Sequence, residues 1–184
     1  NDFSNQKITT MNLRTLLLVV ISITLFWSCG NEKEIKQMTS AIDELEALVL
    51  SDTSSLADLA KAQELIQAYE NYANALPEDT ISAEYLYRAA EIAMNLQMAG
   101  RAIEYYQRIL NNFPDFDKRS YCLFLEAFVY ENQMQQYETA EKLYLEIIEK
   151  YPDHPPADDA EVSVQNMGKS LEELIQSWES QENK

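Results

Sequence analysis

From residue 35 onward the apolar positions of this chain recur at helical spacing, with polar and charged positions between them. Ile35, Met38, Ile42, Leu45 and Val49 follow a 3-4-3-4 rhythm. Barely two heptads are too few for a coiled coil, so this stripe is expected to pack on the next helix, which Ser55-Leu56-Ala57-Asp58 opens as a capping box. Further on, one pattern occurs twice. Ala102–Asp115 reads AIEYYQRILNNFPD and Ala140–Asp153 reads AEKLYLEIIEKYPD. Ala102 falls on Ala140, Tyr106 on Tyr144, Ile109 on Ile147, Phe113 on Tyr151 and Pro114 on Pro152, always 38 residues apart. A fainter copy ends at Pro77, with Tyr69 eight positions before it. Amphipathic stretches at Ala83–Leu96 and Arg119–Gln133 precede the two strong copies, so the repeating unit is a helix–turn–helix. Beyond the second copy, Pro155 and Pro156 end one helix and start another, Gly168 suits a C-cap, and Ser170…Glu173 forms a further capping box. Leu171, Leu174, Ile175 and Trp178 then make one apolar stripe with charges opposite. His154 falls in the turn between helices and is expected to be a turn residue.

The signature Ala90…Ala102…Tyr106…Pro114 and Ala127…Ala140…Tyr144…Pro152 resembles the tetratricopeptide repeat: a small residue in the first helix, then alanine, an aromatic four later and a proline eight after that. Small Ala102 and Ala140 would let paired helices approach, Tyr106 and Tyr144 fill the gap beside them, and Pro114 and Pro152 end the second helix. The tryptophan and glycine of the fuller pattern are missing, and the period exceeds the usual ~34 residues. The resemblance implies an all-α fold, a short right-handed α-solenoid of about three helix pairs over 56–184 with a C-terminal capping helix pair. It also implies that the first helix of each pair lines a concave groove. With Ala90 and Ala127 at the small position, that groove would present Tyr87, Glu91 and Met94 from one repeat, and Phe124, Phe128 and Glu131 from the next. Aromatics beside carboxylates suit an extended protein segment carrying apolar and basic side chains. Core packing of Phe124 and Phe128 is the competing assignment.

Composition narrows the function. Of 184 residues 46% are hydrophobic and 24% charged, which describes a globular chain. Three glycines and five prolines are too few for the turns of a sandwich or barrel, and Gly30, Gly100 and Gly168 lie too far apart to cradle a phosphate. One histidine and two cysteines exclude the common zinc sites. Acidic pairs such as Asp158-Asp159 and Glu172-Glu173 have no histidine or lysine cluster beside them, and no calcium-loop spacing occurs. The chain therefore reads as non-enzymatic, without cofactor or metal. A net charge of −17 repels nucleic acid and favours a basic protein partner. All eleven tyrosines fall between Tyr69 and Tyr151, so the aromatic mass is expected to serve repeat packing. Cys122, in an apolar helical stretch, is expected to be a buried core thiol.

Residues 11–29, MNLRTLLLVVISITLFWSC, place a short basic start before an apolar run from Leu16 to Trp27. Twelve helical residues span roughly 18 Å, short of the roughly 30 Å hydrocarbon core, which marks a signal segment over 11–28. Its end at Cys29 resembles a bacterial lipoprotein signal, although Phe26 and Trp27 are bulkier than usual. An ordinary signal peptide, or a buried apolar helix, is the alternative. Residues 1–10 stand upstream of the candidate initiator Met11 and are left out of the fold. On the lipoprotein assignment Cys29 carries the lipid, 29–55 is an N-terminal linker and helix, and the mature charge is −18. The chain then resembles small tetratricopeptide lipoproteins of bacterial envelopes, of the Tol–Pal-associated cell-division coordinator and Bam-complex types. That resemblance implies an outer-membrane lipoprotein on the periplasmic face, scaffolding envelope assembly or maintenance. The alternative is a surface-exposed accessory subunit of a nutrient-uptake complex, because acidic Glu32 and Glu34 closely follow Cys29.

Overall fold

The computed structural model describes residues 32–49, 56–170, 172–173 and 175–176. Cys29, Ser55, Leu171, Leu174 and Trp178, together with the signal segment, lie outside the described residues. Among the described residues the helices are α1 (32–49), α2 (Leu56–Ala75), α3 (Thr80–Asn95), α4 (Ala99–Asn112), α5 (Arg119–Asn132), α6 (Tyr137–Lys150) and α7 (Pro155–Asn166), and 172–173 and 175–176 are helical too. No strand occurs among the described residues. Each helix from α2 on packs chiefly on its neighbours in sequence, and α5 also touches α7. That nearest-neighbour stacking gives an all-α, solenoid-like helical repeat fold.

Local chemistry sets the helix ends. Pro77, Pro114 and Pro152 stand in the turns after α2, α4 and α6, where the missing N–H and fixed φ stop a second helix. Asp79 caps α3, its carboxylate accepting from the Ile81 amide at 3.0 Å and the Tyr72 hydroxyl at 2.9 Å. Pro155 and Pro156 occupy the first turn of α7. Gly168 takes a φ of +72° just past α7. Beyond it the Ser170 amide donates to Glu173 at 2.7 Å and the Glu173 amide to Ser170 Oγ at 3.3 Å, the two arms of a capping box. The turns inside the pairs carry a feature with no sequence signal: Gln97 (φ 58°) and Gln135 (φ 53°) are left-handed, again 38 residues apart.

The core follows the 38-residue alignment. Ala102, Tyr106 and Ile109 on α4 are fully buried, as are Ala140, Tyr144 and Ile147 on α6. On α2 the buried Leu65 and Tyr69 take the alanine and tyrosine places, and Ile42 of α1 joins them. Ala90 and Ala127 supply the small contacts on α3 and α5, each with its side chain fully buried. Leu110 and Tyr130 touch both the larger core and the smaller one formed by α5, α6 and α7.

Candidate interaction face

Helices α1, α3, α5 and α7 are the first members of successive units. Around α1 and α3 the charged side chains are taken up by internal pairing. Glu46 of α1 accepts from the Tyr69 hydroxyl at 2.6 Å and from Arg88 of α3 at 2.7 Å. Arg88 also reaches Glu84 at 3.2 Å, and Glu84 accepts from Lys118 at 2.8 Å. Burial pushes the Glu84 carboxyl up, but the hydrogen bonds from Lys118 and Arg88 outweigh it and hold the group below the usual carboxylate range. The ammonium of Lys118 lies 4.8 Å from the centre of the Tyr87 ring.

The six residues assigned to the groove separate in three dimensions. Tyr87 is in the core and not on the surface, with Tyr106 and Phe116 each 6.2 Å away and Lys118 over its face. The chain between α4 and α5 folds back over it, which helix periodicity alone does not encode. Glu91 is half-buried, and burial raises its carboxyl above the usual range. Met94 packs against the larger core, and its carbonyl accepts from Gln133 at 2.8 Å. Phe124 is half-buried with its ring 5.5 Å from Tyr144, so it is a core residue in its inner half. Glu131 accepts the Tyr144 hydroxyl at 2.9 Å. Phe128 is 38% exposed.

Phe128 and Glu131 come together in a crevice of 630 Å³ between α5 and α7. Tyr137, 44% exposed, and Val162, 56% exposed, complete its apolar lining, with Asn166, Lys169 and Glu173 on the rim. Sequence reasoning missed Tyr137 and Val162. A tyrosine opening α6 and a valine on α7 carry no signal that separates them from core residues.

The repeat residues are structural: Ala102, Tyr106, Ala140 and Tyr144 are buried, and Pro114 and Pro152 are exposed at turns. Burial of Cys122 pushes its thiol up to about 12, which keeps it protonated near neutral pH. His154 is the N-cap residue of α7, with Nδ1 3.1 Å from Ser120 Oγ and the Tyr151 ring at 5.4 Å. No group of three or more metal-ligating side chains occurs among the described residues. No described helix is long and apolar enough to cross a membrane.

Residues 84–115 and 121–154 match the family model of the tetratricopeptide repeat. Both stretches are tetratricopeptide repeats. They coincide with the α3–α4 and α5–α6 pairs, each taken through its closing proline. The α1–α2 unit lies outside the matched tetratricopeptide residues yet buries Leu65 and Tyr69 at the corresponding places. Neither curated proteins nor solved structures match the chain.

Proposed function

We propose that this protein is a non-enzymatic tetratricopeptide scaffold that binds an extended protein segment along α5 and α7, while lipid at Cys29 holds it on the periplasmic face of the outer membrane. The observation that carries the binding role is the crevice between α5 and α7, where Phe128, Tyr137 and Val162 stay exposed beside Glu131 and Glu173. Exposed aromatic and β-branched side chains in a concave site, rimmed by carboxylates, suit a ligand that alternates apolar and basic residues. The anchor rests on the apolar run ending at Cys29, and envelope assembly or maintenance is the role that a lipid-anchored scaffold of this charge suits.

Two variants test the two halves separately. Phe128→Ala combined with Val162→Lys should keep helicity by circular dichroism and lose cross-linked partners. Glu131 is spared because it holds Tyr144. Unchanged partners would place the binding site elsewhere. Cys29→Ser should leave an unprocessed or soluble species; continued partition into the detergent phase, with a mature N-terminus elsewhere, would refute the anchor.

A further inference from the structure

A second crevice, of 430 Å³, lies where α4 and α6 flank α5, and it shares no residue with the α5–α7 crevice. Glu126 of α5 lines it and is only 3% exposed. Carboxylates this deeply buried are normally matched by a cation, because an unmatched buried charge costs several kcal/mol. No cation reaches Glu126 among the described residues. Its partner is a neutral amide: Gln107 Nε2 of α4 donates to Oε1 at 2.8 Å. Arg119, about two turns before it on α5, directs Nη1 at the carbonyls of Ile109, Leu110 and Phe113, at 3.4, 2.7 and 3.1 Å. Lys150, on a largely exposed side chain, pairs with Glu146 at 2.6 Å and not with Glu126. Glu146 lines the crevice from α6 with its charge met by Lys150, which lines it too.

We infer that this crevice is a binding site for the basic side chain of a protein ligand, with the Glu126 carboxylate as its counter-charge. One oxygen, Oε1, is fixed by Gln107, and the other is free to receive an ammonium or guanidinium group. Leu143 and Leu110 give the walls against which the methylene stem of lysine or arginine packs. Arg119 and Lys150 also line the crevice, but the first is held by backbone carbonyls and the second by Glu146, so the unmatched charge is that of Glu126, and an apolar or anionic ligand would leave it uncompensated. Burial, and the repulsion of Glu146 after it, raise the Glu126 carboxyl above the usual range despite the Gln107 hydrogen bond. A bound cation opposes both effects. The site stands on the side of the second helices, and its existence does not depend on what the α5–α7 crevice binds.

The test uses the full chain at physiological salt and a five-residue peptide, acetyl-Gly-Gly-Arg-Gly-Gly-amide. Its partner peptide has citrulline, a neutral isostere, in place of arginine. Side-chain carboxyl resonances of the glutamates are followed by NMR during titration. The arginine peptide should shift the Glu126 carboxyl and the Gln107 amide saturably and lower the pH midpoint of Glu126, while the citrulline peptide should do neither. Glu126→Gln, which keeps the side-chain shape, should weaken binding at least tenfold. Glu146→Gln should weaken it severalfold, and Glu141→Gln, an exposed acid elsewhere on α6, should leave it unchanged. Equal effects of the two peptides, unchanged affinity in Glu126→Gln, or no shift at Glu126 up to the solubility limit would each overturn the proposal. Should Glu126→Gln lose helicity, the pH midpoint of Glu126 in the unaltered protein, with and without peptide, decides alone.

Discussion

The Tyr144 hydroxyl donates to Glu131 across 2.9 Å, whereas Tyr106, its counterpart one repeat earlier, is buried with no partner for its hydroxyl among the described residues. The difference lies on the first helices. With Ala90 aligned on Ala127, the residue corresponding to Glu131 on α3 is Met94, which has no carboxylate to accept with. Phenylalanine should therefore have opposite effects at the two sites. Tyr144→Phe should cost about 1–2 kcal/mol, since a hydrogen bond to a charged acceptor is lost. Tyr106→Phe should be neutral or stabilising by up to about 1 kcal/mol, because it removes an unsatisfied buried oxygen. Urea denaturation of the two variants checks this, and equal losses would contradict it.

Leucine at Ala102 or Ala140 should overpack the helix contact. Both alanines are completely buried at equivalent places. Each Ala→Leu variant is expected to lose roughly 1–3 kcal/mol. Melting temperatures unchanged in both would argue against the repeat alignment, since leucine is well tolerated on exposed helix surfaces.

Glycine should help where the turns inside the pairs are left-handed. Gln97 and Gln135, at φ 58° and 53°, adopt a conformation that costs an L-residue about 1–2 kcal/mol. Part of that gain is offset by the greater freedom of glycine in the unfolded chain. Gln97→Gly and Gln135→Gly should each raise stability by about 0.5–1 kcal/mol, read as a higher urea midpoint with an unchanged slope.

Glu126 makes stability depend on pH in an unusual direction for an acid. Burial raises its carboxyl in the folded state, so between the ordinary carboxylate value and the folded value the native protein holds more protons than the unfolded one. Its stabilising contribution is complete below the unfolded value and is lost as pH rises through the folded value. Glu126→Gln should therefore stabilise the protein at neutral pH by about 1 kcal/mol, with the gain shrinking as pH falls toward the ordinary carboxylate range. A gain constant with pH would show that Glu126 does not titrate abnormally.

The sequence carried the second helices well and the first helices poorly, for a physical reason. Ala102, Tyr106 and Ile109 recur as Ala140, Tyr144 and Ile147 because α4 and α6 sit in near-identical surroundings, between two first helices each. The first helices must serve both the pair contact and the outer face, and the boundary between those uses depends on what the connecting turns cover. Tyr87 is buried because Phe116 and Lys118 close over it, contacts made across 29 and 31 residues. Phe128, one turn beyond Phe124 (the counterpart of Tyr87), has no such turn over it and stays open on the crevice between α5 and α7. Glu126 was invisible among 31 acidic residues, since only tertiary packing distinguishes it from a solvated carboxylate.

On the proposed function, the face of α5 and α7 around Phe128 contacts a protein partner. A photo-reactive benzoylphenylalanine placed at Phe128 tests it most directly, with the same group at Leu145, 49% exposed on α6 outside the crevice, as the comparison. Irradiation of intact envelopes should give a discrete adduct from position 128 that Val162→Lys abolishes, and none from position 145. Equal adducts from both positions, or an adduct at 128 indifferent to Val162→Lys, would mean that the crevice between α5 and α7 is not the partner site.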